Sequence, residues 1–219
     1  MDCCAHNQGL NSIFGEAGAR SEAAAYWKKG LDKHTRAVVE AVSAGGMAGA
    51  SVLEVGGGIG GLHLELLKRG ASGATNVDIS SAYLAAAQSI AEKLGLRERV
   101  AYRLADFARE AASVPAADLV ALHRVVCCYP DMPALVTAAA QHARRRLALS
   151  YPTGAWYMRL GLKLINIGLW LMRNGVRFYA HAPEAILSTA TTASLRLAQR
   201  KSSWPWEIVA FERAAPPVA

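Results

Sequence analysis

A cluster of glycines behind a short apolar run carries the clearest chemical signal in this sequence. Residues 51–55 are rich in branched apolar side chains, which is typical of a buried strand, and residues 62–69 have the pattern of a helix. Between them lie Gly56, Gly57, Gly58, Gly60 and Gly61. Glycines let the backbone turn sharply and let a ligand approach the main chain, and a helix start offers unpaired N–H groups. The segment therefore predicts a loop that binds a nucleotide-type cofactor.

Two classes of cofactor compete for this loop. Gly56-x-Gly58-x-x-Gly61 fits the dinucleotide pattern, whereas Glu54-x-Gly56-x-Gly58-x-Gly60 adds an acid two residues before the first glycine. A dinucleotide brings an anionic pyrophosphate, which the carboxylate of Glu54 would repel. S-adenosylmethionine (AdoMet) instead brings an ammonium and a sulfonium, which that carboxylate attracts. The residues favour AdoMet, while a dinucleotide and a glycine turn without a ligand stay open.

Further acids follow the next two predicted strands. Residues 74–78 predict a second strand that ends in Asp78, whose carboxylate can accept hydrogen bonds from both hydroxyls of a ribose. Ile79 would then cover one face of an adenine. A third strand at residues 100–104 is followed by Asp106 and Phe107. Asp106 is a second candidate for cofactor binding, and the alternative is that it caps a helix.

The order of these elements indicates a family. Strands are also predicted at residues 117–124 and 147–152, and residues 194–213 predict a terminal hairpin. This set resembles the class I AdoMet-dependent methyltransferases. The resemblance implies an α/β fold with a Rossmann-like, mostly parallel seven-stranded sheet, the last strand antiparallel, and helices on both faces. It also implies that Asp106 binds the exocyclic amine of adenine and that the backbone beside Phe107 binds a ring nitrogen.

A length of 219 residues suits one domain with an elaboration. We predict an N-terminal helical cap over residues 1–45 and a methyltransferase domain over residues 46–219, with a helical insertion near residues 155–180. Residues 15–31 have the pattern of an amphipathic helix, and such helices in the resembling family often fold over the cofactor. Tyr26 and Trp27 would then cover the sulfonium or the substrate, although packing in the core also explains aromatic residues there.

Candidate catalytic residues lie at the end of the fourth predicted strand and just after it. His123 lies where the resembling family often places a catalytic or metal-binding acid. A neutral imidazole there could take a proton from the acceptor, or it could line the cofactor pocket as a hydrogen-bonded residue. Tyr129 is a further candidate, and Arg124 could pair with a substrate carboxylate. Because a sulfonium already activates its methyl group, aligning the acceptor would be the protein's main task.

Part of the chain also resembles one subgroup, the magnesium-protoporphyrin O-methyltransferases. The similar parts are residues 26–35, the core motifs, Cys128-Tyr129-Pro130 and residues 148–152. Aligned in this way, Arg124 and Cys128 replace an aspartate and a histidine of that subgroup, and Gly57 and Ile59 replace a cysteine and a threonine. The porphyrin substrate is therefore not carried over. We expect a small, apolar and acidic acceptor, methylated on oxygen ahead of nitrogen or sulfur.

Positive charge is concentrated late in the chain. Residues 144–219 hold 11 Lys/Arg against 3 Asp/Glu, whereas residues 1–143 hold 13 against 14. This imbalance favours an anionic acceptor or an anionic surface nearby. The alternative for Arg144, Arg145 and Arg146 is that they end a helix favourably.

Residues 156–179 form an apolar segment with a few polar positions. Arg159, Lys163, Asn166, Arg173 and Arg177 fall at helical spacing, and no uncharged run reaches the roughly 20 residues of a spanning helix. The segment could contact a membrane surface, cover a lipophilic substrate or contact a second copy in a homodimer. It could also pack in the core with its basic side chains reaching solvent.

Three alternative functions stay open. The first is an NAD-dependent oxidoreductase, on the dinucleotide pattern. The second is a nucleic-acid methyltransferase, on a pI near 9.4, although the chain lacks the Asn/Asp-Pro-Pro-aromatic tetrapeptide of amino-methylating enzymes, so no nucleic-acid partner is predicted. The third is a non-catalytic subunit with the same fold. The sequence shows no secretory signal, and we expect a cytoplasmic protein.

Four cysteines occur as two adjacent pairs, Cys3-Cys4 and Cys127-Cys128. Their spacing fits neither a disulfide framework nor a standard zinc motif, so we predict ordinary thiols and no metal site. A soft-metal or redox role stays open if the N-terminus, with His6, folds over the second pair.

Overall fold

The computed structural model describes Leu10 and residues 13–213. Short 3₁₀ turns occur at Arg97–Arg99, Ala111–Ser113 and Val126–Cys128. The helices and strands are, in order, α1 (Glu16–Lys29), α2 (Lys33–Ser43), β1 (Ser51–Val55), α3 (Gly61–Lys68), β2 (Gly73–Asp78), α4 (Ser81–Lys93), β3 (Val100–Leu104), α5 (Phe107–Glu110), β4 (Ala117–His123), α6 (Met132–His142), β5 (Ala143–Pro152), α7 (Trp156–Leu171), α8 (Pro183–Thr192), β6 (Leu195–Ser203) and β7 (Trp206–Arg213).

The strands form one seven-stranded sheet in the order β3-β2-β1-β4-β5-β7-β6. The first five strands pair in parallel, and β7 runs antiparallel to both β5 and β6. The strand order reverses between β1 and β4, which creates a crevice at the carboxyl ends of these two strands. The predicted sheet, with its antiparallel last strand, is confirmed.

Both faces of the sheet are covered by helices, because neighbouring strand residues point to opposite sides. Val52 of β1 packs with residues of α2, α3 and α4, whereas Leu53 and Val55 pack with residues of α5, α6 and α8. All three side chains are buried. The predicted helices on both faces are therefore confirmed, and α2 shares the core of the sheet.

Strand β5 is longer than its apolar run predicts. It begins at Ala143 and so contains Arg144, Arg145 and Arg146, which do not end a helix. Arg145 donates to the carbonyl oxygens of Gly45 and Gly46. Arg146, which is buried, pairs through Nη1 with Glu212 Oε1 of the neighbouring strand β7.

Helix α7 is shorter than the polar spacing predicts, so the expected stripe from Arg159 to Arg177 is wrong. Arg173 has a φ of 54°, and the N–H of Asn174 donates to the carbonyl oxygen of Leu169. This is the left-handed arrangement that commonly ends a helix. Arg173 and Arg177 therefore lie beyond the helix.

The two helices outside the core differ in how they meet it. In α1 only Ala19 is buried, so its amphipathic character is weaker than predicted. None of the residues of α7 is buried, which excludes the expectation of a core-packed helix. Among the described residues, no helix is long and apolar enough to cross a membrane.

Candidate functional site

A cavity of about 630 Å³ lies at the crevice between β1 and β4. One wall comes from the glycine loop and the segments that follow β2 and β3. The other wall comes from α1, the start of α2 and the segment after β4. Of the predicted site residues, the lining includes Tyr26, Glu54, Gly56, Gly57, Gly58, Asp78, Ile79, Asp106, Phe107, His123, Arg124 and Tyr129.

The glycine loop needs its glycines for two different reasons. Gly56 has a φ of +62°, and a Cβ there would overlap the Val125 side chain. Gly57 has an ordinary φ, but a Cβ would overlap Asn76 Oδ1 and lie 3.1 Å from Glu54 Cδ. The loop backbone therefore lies directly against β1 and β2. Gly60 forms the left-handed start of α3 and does not line the cavity.

Glu54 connects the end of β1 to the first turn of α3. Its Oε2 accepts from the His63 backbone N–H at 3.1 Å and lies 2.7 Å from His63 Nδ1. Glu54 is 3% exposed and His63 is 0% exposed. Sequence reasoning missed His63, although a histidine in the helix behind a glycine loop is a recognisable signal. The carboxylate that was expected to face a ligand ammonium also holds the loop in place.

Asp78 holds the turn after β2. Its Oδ2 accepts from the Gly58 N–H at 2.9 Å, and its Oδ1 accepts from the Ser80 N–H at 2.8 Å. Burial disfavours the charged carboxylate and raises the pKa of Asp78, while the two N–H donors oppose that rise. Each oxygen keeps a lone pair for another donor. Ile79, next in the chain, is half-buried and lines the same wall.

Asp106 is poised to receive a further donor. Its Oδ1 accepts from the Tyr129 hydroxyl at 2.9 Å. Its Oδ2 is buried without a hydrogen-bond partner among the described residues, and Arg109 Nε lies 3.6 Å from it. Asp106 precedes α5, but its side chain makes no capping hydrogen bond. The alternative role as a helix cap is therefore not supported, and Phe107 beside it is buried.

His123 lies in a chain of hydrogen bonds. Its Nδ1 is 2.7 Å from Ser150 Oγ, and its Nε2 is 3.2 Å from Thr35 Oγ1. Thr35 Oγ1 donates its proton to Asp32 Oδ2 at 2.8 Å, so it accepts from the His123 Nε2–H. Nδ1 of the neutral ring then accepts from the Ser150 hydroxyl, whose oxygen also accepts from the Arg124 N–H. Both ring nitrogens of His123 are therefore engaged.

Burial, aided by the neighbouring Arg124 charge, lowers the pKa of His123 to about 3. The unfolded chain therefore binds a proton at His123 that the folded chain does not, between pH 6.5 and about 3. The free energy of unfolding therefore decreases as the pH is lowered from 6.5 to about 3. We expect His123→Gln to remove a slope of about 1.4 kcal/mol per pH unit from the free energy of unfolding. Urea unfolding of both chains across the window measures it, and equal slopes would show that His123 titrates normally when folded.

Arg124 was expected to pair with a substrate, and the structure gives it two protein partners. Its Nη2 lies 3.1 Å from Asp32 Oδ1, and its guanidinium lies 5.4 Å from the Trp206 ring centroid. Arg124 remains exposed at the cavity. Asp32 caps α2, and Thr35 lies in its first turn. Sequence reasoning missed both, although Asp32 before a helical run is a typical capping signal.

Tyr26 and Trp27 occupy different environments in the structure. Tyr26 lines the cavity, packs near Gly61, and accepts from Lys68 Nζ at 3.3 Å. Trp27 is 47% exposed and does not line the cavity. Of the two aromatic residues, Tyr26 alone is placed to cover a ligand.

The second cysteine pair lies at the cavity loop after β4. Cys127 Sγ and Cys128 Sγ are 3.8 Å apart, and Cys128 lines the cavity. Cys3, Cys4 and His6 lie outside the described residues. Within Leu10 and residues 13–213, no group of three or more His, Cys, Asp or Glu side chains could hold a metal ion.

Comparisons with known proteins agree with this geometry. Residues 52–148 match the model of a methyltransferase domain family. No curated protein matches the chain significantly. Magnesium protoporphyrin IX methyltransferase from Synechocystis PCC 6803, solved with bound SAH, is similar in structure, with a TM-score of 0.73, 22% identity, and coverage of 95% of this chain and 100% of that one.

Two O-methyltransferase structures are also similar. The family 2 O-methyltransferase from Planctomyces limnophilus, in complex with apigenin, has a TM-score of 0.68 and 20% identity, and the match covers 91% of this chain and 62% of that one. An O-methyltransferase family protein from Burkholderia thailandensis has a TM-score of 0.69 and 18% identity, covering 91% and 59%. The match to the methyltransferase domain family covers residues 52–148, and together with the sheet order and the glycine loop it shows that this chain has a Rossmann-like methyltransferase fold.

Proposed function

We propose that the chain transfers the methyl group of AdoMet to an oxygen of a small, apolar and anionic molecule. The observation that carries the proposal is a cavity with two chemically different walls. One wall presents the glycine loop and the carboxylates of Asp78 and Asp106. The other presents apolar side chains with three cations, Lys29, Arg36 and Arg124, against two acids, Glu22 and Asp32.

The first wall fits AdoMet. The buried Oδ2 of Asp106, which accepts no hydrogen bond within the described residues, suits the exocyclic amine of adenine, and the remaining lone pairs of Asp78 suit the ribose hydroxyls. Ile79 and Phe107 offer apolar surface for the adenine. Gly57, where a side chain cannot fit, leaves the loop backbone open to the amino-acid end. When bound, AdoMet supplies a methyl group that its sulfonium has already activated.

The second wall supports an apolar acceptor. Leu31 and Val125 line this wall and would exclude water from an acceptor bound there. The basic side chains come from α1, α2 and Arg124. None of the described residues from 144 onward lines the cavity, so the cations that face a bound acceptor come from the first 143 residues.

The hydrogen bonds of His123 and Tyr129 favour an acceptor that is already ionised. His123 has both nitrogens engaged and a low pKa, so it is a poor base at neutral pH. The Tyr129 hydroxyl donates to Asp106. A carboxylate or an acidic hydroxyl needs no proton removed before it attacks. The predicted catalytic residues His123, Tyr129 and Arg124 would then orient and attract the acceptor.

Arg124 and Asp32 allow a paired test of acceptor charge. Arg124→Gln should raise the acceptor KM about two- to fivefold, because one attracting charge is lost. Asp32→Asn should lower the KM by a similar factor, because it frees Arg124 while its amide oxygen can still cap α2. Raising the salt concentration should raise the KM of the unmodified chain. As a control, calorimetry should find that the affinity for AdoMet is nearly unchanged in both variants. If the two variants shift the acceptor KM in the same direction, Arg124 does not recognise the acceptor.

The direct experiment is product identification. The chain is incubated with AdoMet and a metabolite extract, and mass spectrometry follows compounds that gain one CH₂ unit. We expect an organic acid that gains this mass and becomes a base-labile ester or a methyl ether. A methylated amine, thiol or nucleic acid would contradict the proposed acceptor. Unchanged AdoMet with every extract would favour a non-catalytic subunit.

A further inference from the structure

The exposed apolar side chains of this protein are concentrated on one helix. Of the thirteen large hydrophobic side chains exposed in the described residues, nine lie between residues 156 and 172. Tyr157, Leu160, Leu164, Ile167 and Leu171 recur every three or four residues along α7. On a regular helix they fall within an arc of about 80°. Trp156 and Trp170, 74% and 67% exposed, lie at its two ends. Most of the large hydrophobic side chains exposed in the described residues therefore lie on this one helix, five of them on one face.

Positive charges flank this face and have no acidic partner. Arg159 and Lys163 lie on α7, and Arg173 and Arg177 lie just beyond it. All four side chains are exposed, and within the described residues none forms an ion pair. Residues 132–183 contain no Asp or Glu. A surface of apolar side chains, terminal tryptophans and uncompensated cations matches the interface of an anionic bilayer.

We propose that this face, formed by α7 with Arg173 and Arg177, docks the protein on the surface of an anionic lipid membrane. A symmetric dimer would bring the same patch of both copies together, with four cations on each side and no acid in the segment to offset them. Anionic headgroups offset that charge, while the aromatic and aliphatic side chains enter the boundary of the acyl chains.

The docking face is tied to the cavity. Asn166 of α7 makes two hydrogen bonds of 2.8 Å with the backbone of Phe178. The N–H of Tyr179 donates to the Cys127 carbonyl oxygen at 2.7 Å, and His181 Nε2 lies 3.0 Å from the Tyr129 carbonyl oxygen. A docked α7 would therefore hold the cavity loop near the bilayer. The docking does not depend on the proposed activity, whereas supply of an apolar anionic acceptor from the bilayer rests on it.

The test is sedimentation of the full chain with vesicles. We expect vesicles of phosphatidylcholine and phosphatidylglycerol to bind the chain at least about tenfold more tightly than vesicles of phosphatidylcholine alone. Leu164→Ser with Trp170→Ser should abolish binding. Leu104→Ser with Trp204→Ser is the matched control, because these residues are 61% and 65% exposed against 61% and 67%. The control should bind like the unmodified chain.

A second pair of variants tests the charges. Arg159→Gln with Lys163→Gln should reduce binding to the anionic vesicles and flatten its dependence on salt. Arg144→Gln with Lys201→Gln removes two exposed cations elsewhere and should change binding little. Equal loss in both pairs would overturn the proposal, because binding would then follow net charge alone.

Two further results separate the alternatives. Analytical ultracentrifugation that finds a dimer, converted to a monomer by Leu164→Ser with Trp170→Ser, would overturn membrane docking in favour of a second copy. Calorimetry with AdoMet on the same preparations separates this proposal from the enzymatic one. A chain that binds AdoMet and ignores anionic vesicles would contradict docking alone, and a chain that binds vesicles and ignores AdoMet would contradict the function alone.

Discussion

Asp78→Asn should weaken AdoMet binding by about 2–3 kcal/mol, or about 30- to 150-fold. The carboxylate accepts two backbone N–H groups and keeps lone pairs toward the cavity, whereas an amide has one acceptor oxygen and no charge. Isothermal titration calorimetry measures the change. Because burial raises the pKa of Asp78 above 3.8, affinity in the unmodified chain should fall on acidification at a higher pH than for an ordinary aspartate.

Asp118→Asn is the matched control for this prediction. Asp118 also accepts from a backbone N–H and a hydroxyl, those of Ser51, but it does not line the cavity. We expect this variant to lose some stability and to keep its affinity for AdoMet. Unchanged affinity in Asp78→Asn would remove Asp78 from the cofactor site.

Gly57→Ala should reduce AdoMet affinity at least about tenfold and lower the free energy of unfolding by about 1–3 kcal/mol. The added methyl would overlap Asn76 Oδ1 and press on Glu54, and both side chains are buried. The loop must then move into the space of the cofactor. Calorimetry and thermal unfolding report the two effects separately.

Asn76→Ala should partly rescue the Gly57→Ala chain. Asn76 has no hydrogen-bond partner for its amide among the described residues, so its removal costs few polar contacts and makes room for the methyl group. Gly73→Ala is the control for Gly57→Ala. Gly73 lies on β2, the strand that carries Asn76, and a Cβ there would meet only the Arg99 carbonyl oxygen, at 3.5 Å. A Gly57→Ala chain with normal affinity would show that the loop backbone does not approach the ligand.

The sheet and one wall of the cavity were predictable because they depend on local patterns. The placement of Glu54, Asp78 and Asp106 at or near the ends of apolar runs follows from strand periodicity and from the crevice of a parallel sheet. The amphipathic α2, by contrast, places Asp32 and Thr35 opposite His123 from 88 and more residues away in sequence. No local pattern reports such a contact, so a hydrogen-bonded His123 could be offered only as an alternative and its partner Thr35 could not be named.

The basic residues illustrate the same limit. The spacing of the basic residues predicted one helical stripe from Arg159 to Arg177. The positive φ of Arg173, which ends the helix, could not be predicted because such a φ is uncommon for a non-glycine residue. Counting charges also could not show that the late basic residues avoid the cavity. Tertiary placement decides which partner a charge meets, whereas composition decides only that charge is present.

Calorimetric titration of the unmodified chain with AdoMet, its demethylated product and NAD tests the central claim most directly. The carboxylates of Glu54, Asp78 and Asp106 around one glycine loop predict saturable heat with AdoMet and with its demethylated product, and none with NAD. Heat with NAD and none with AdoMet would contradict the account.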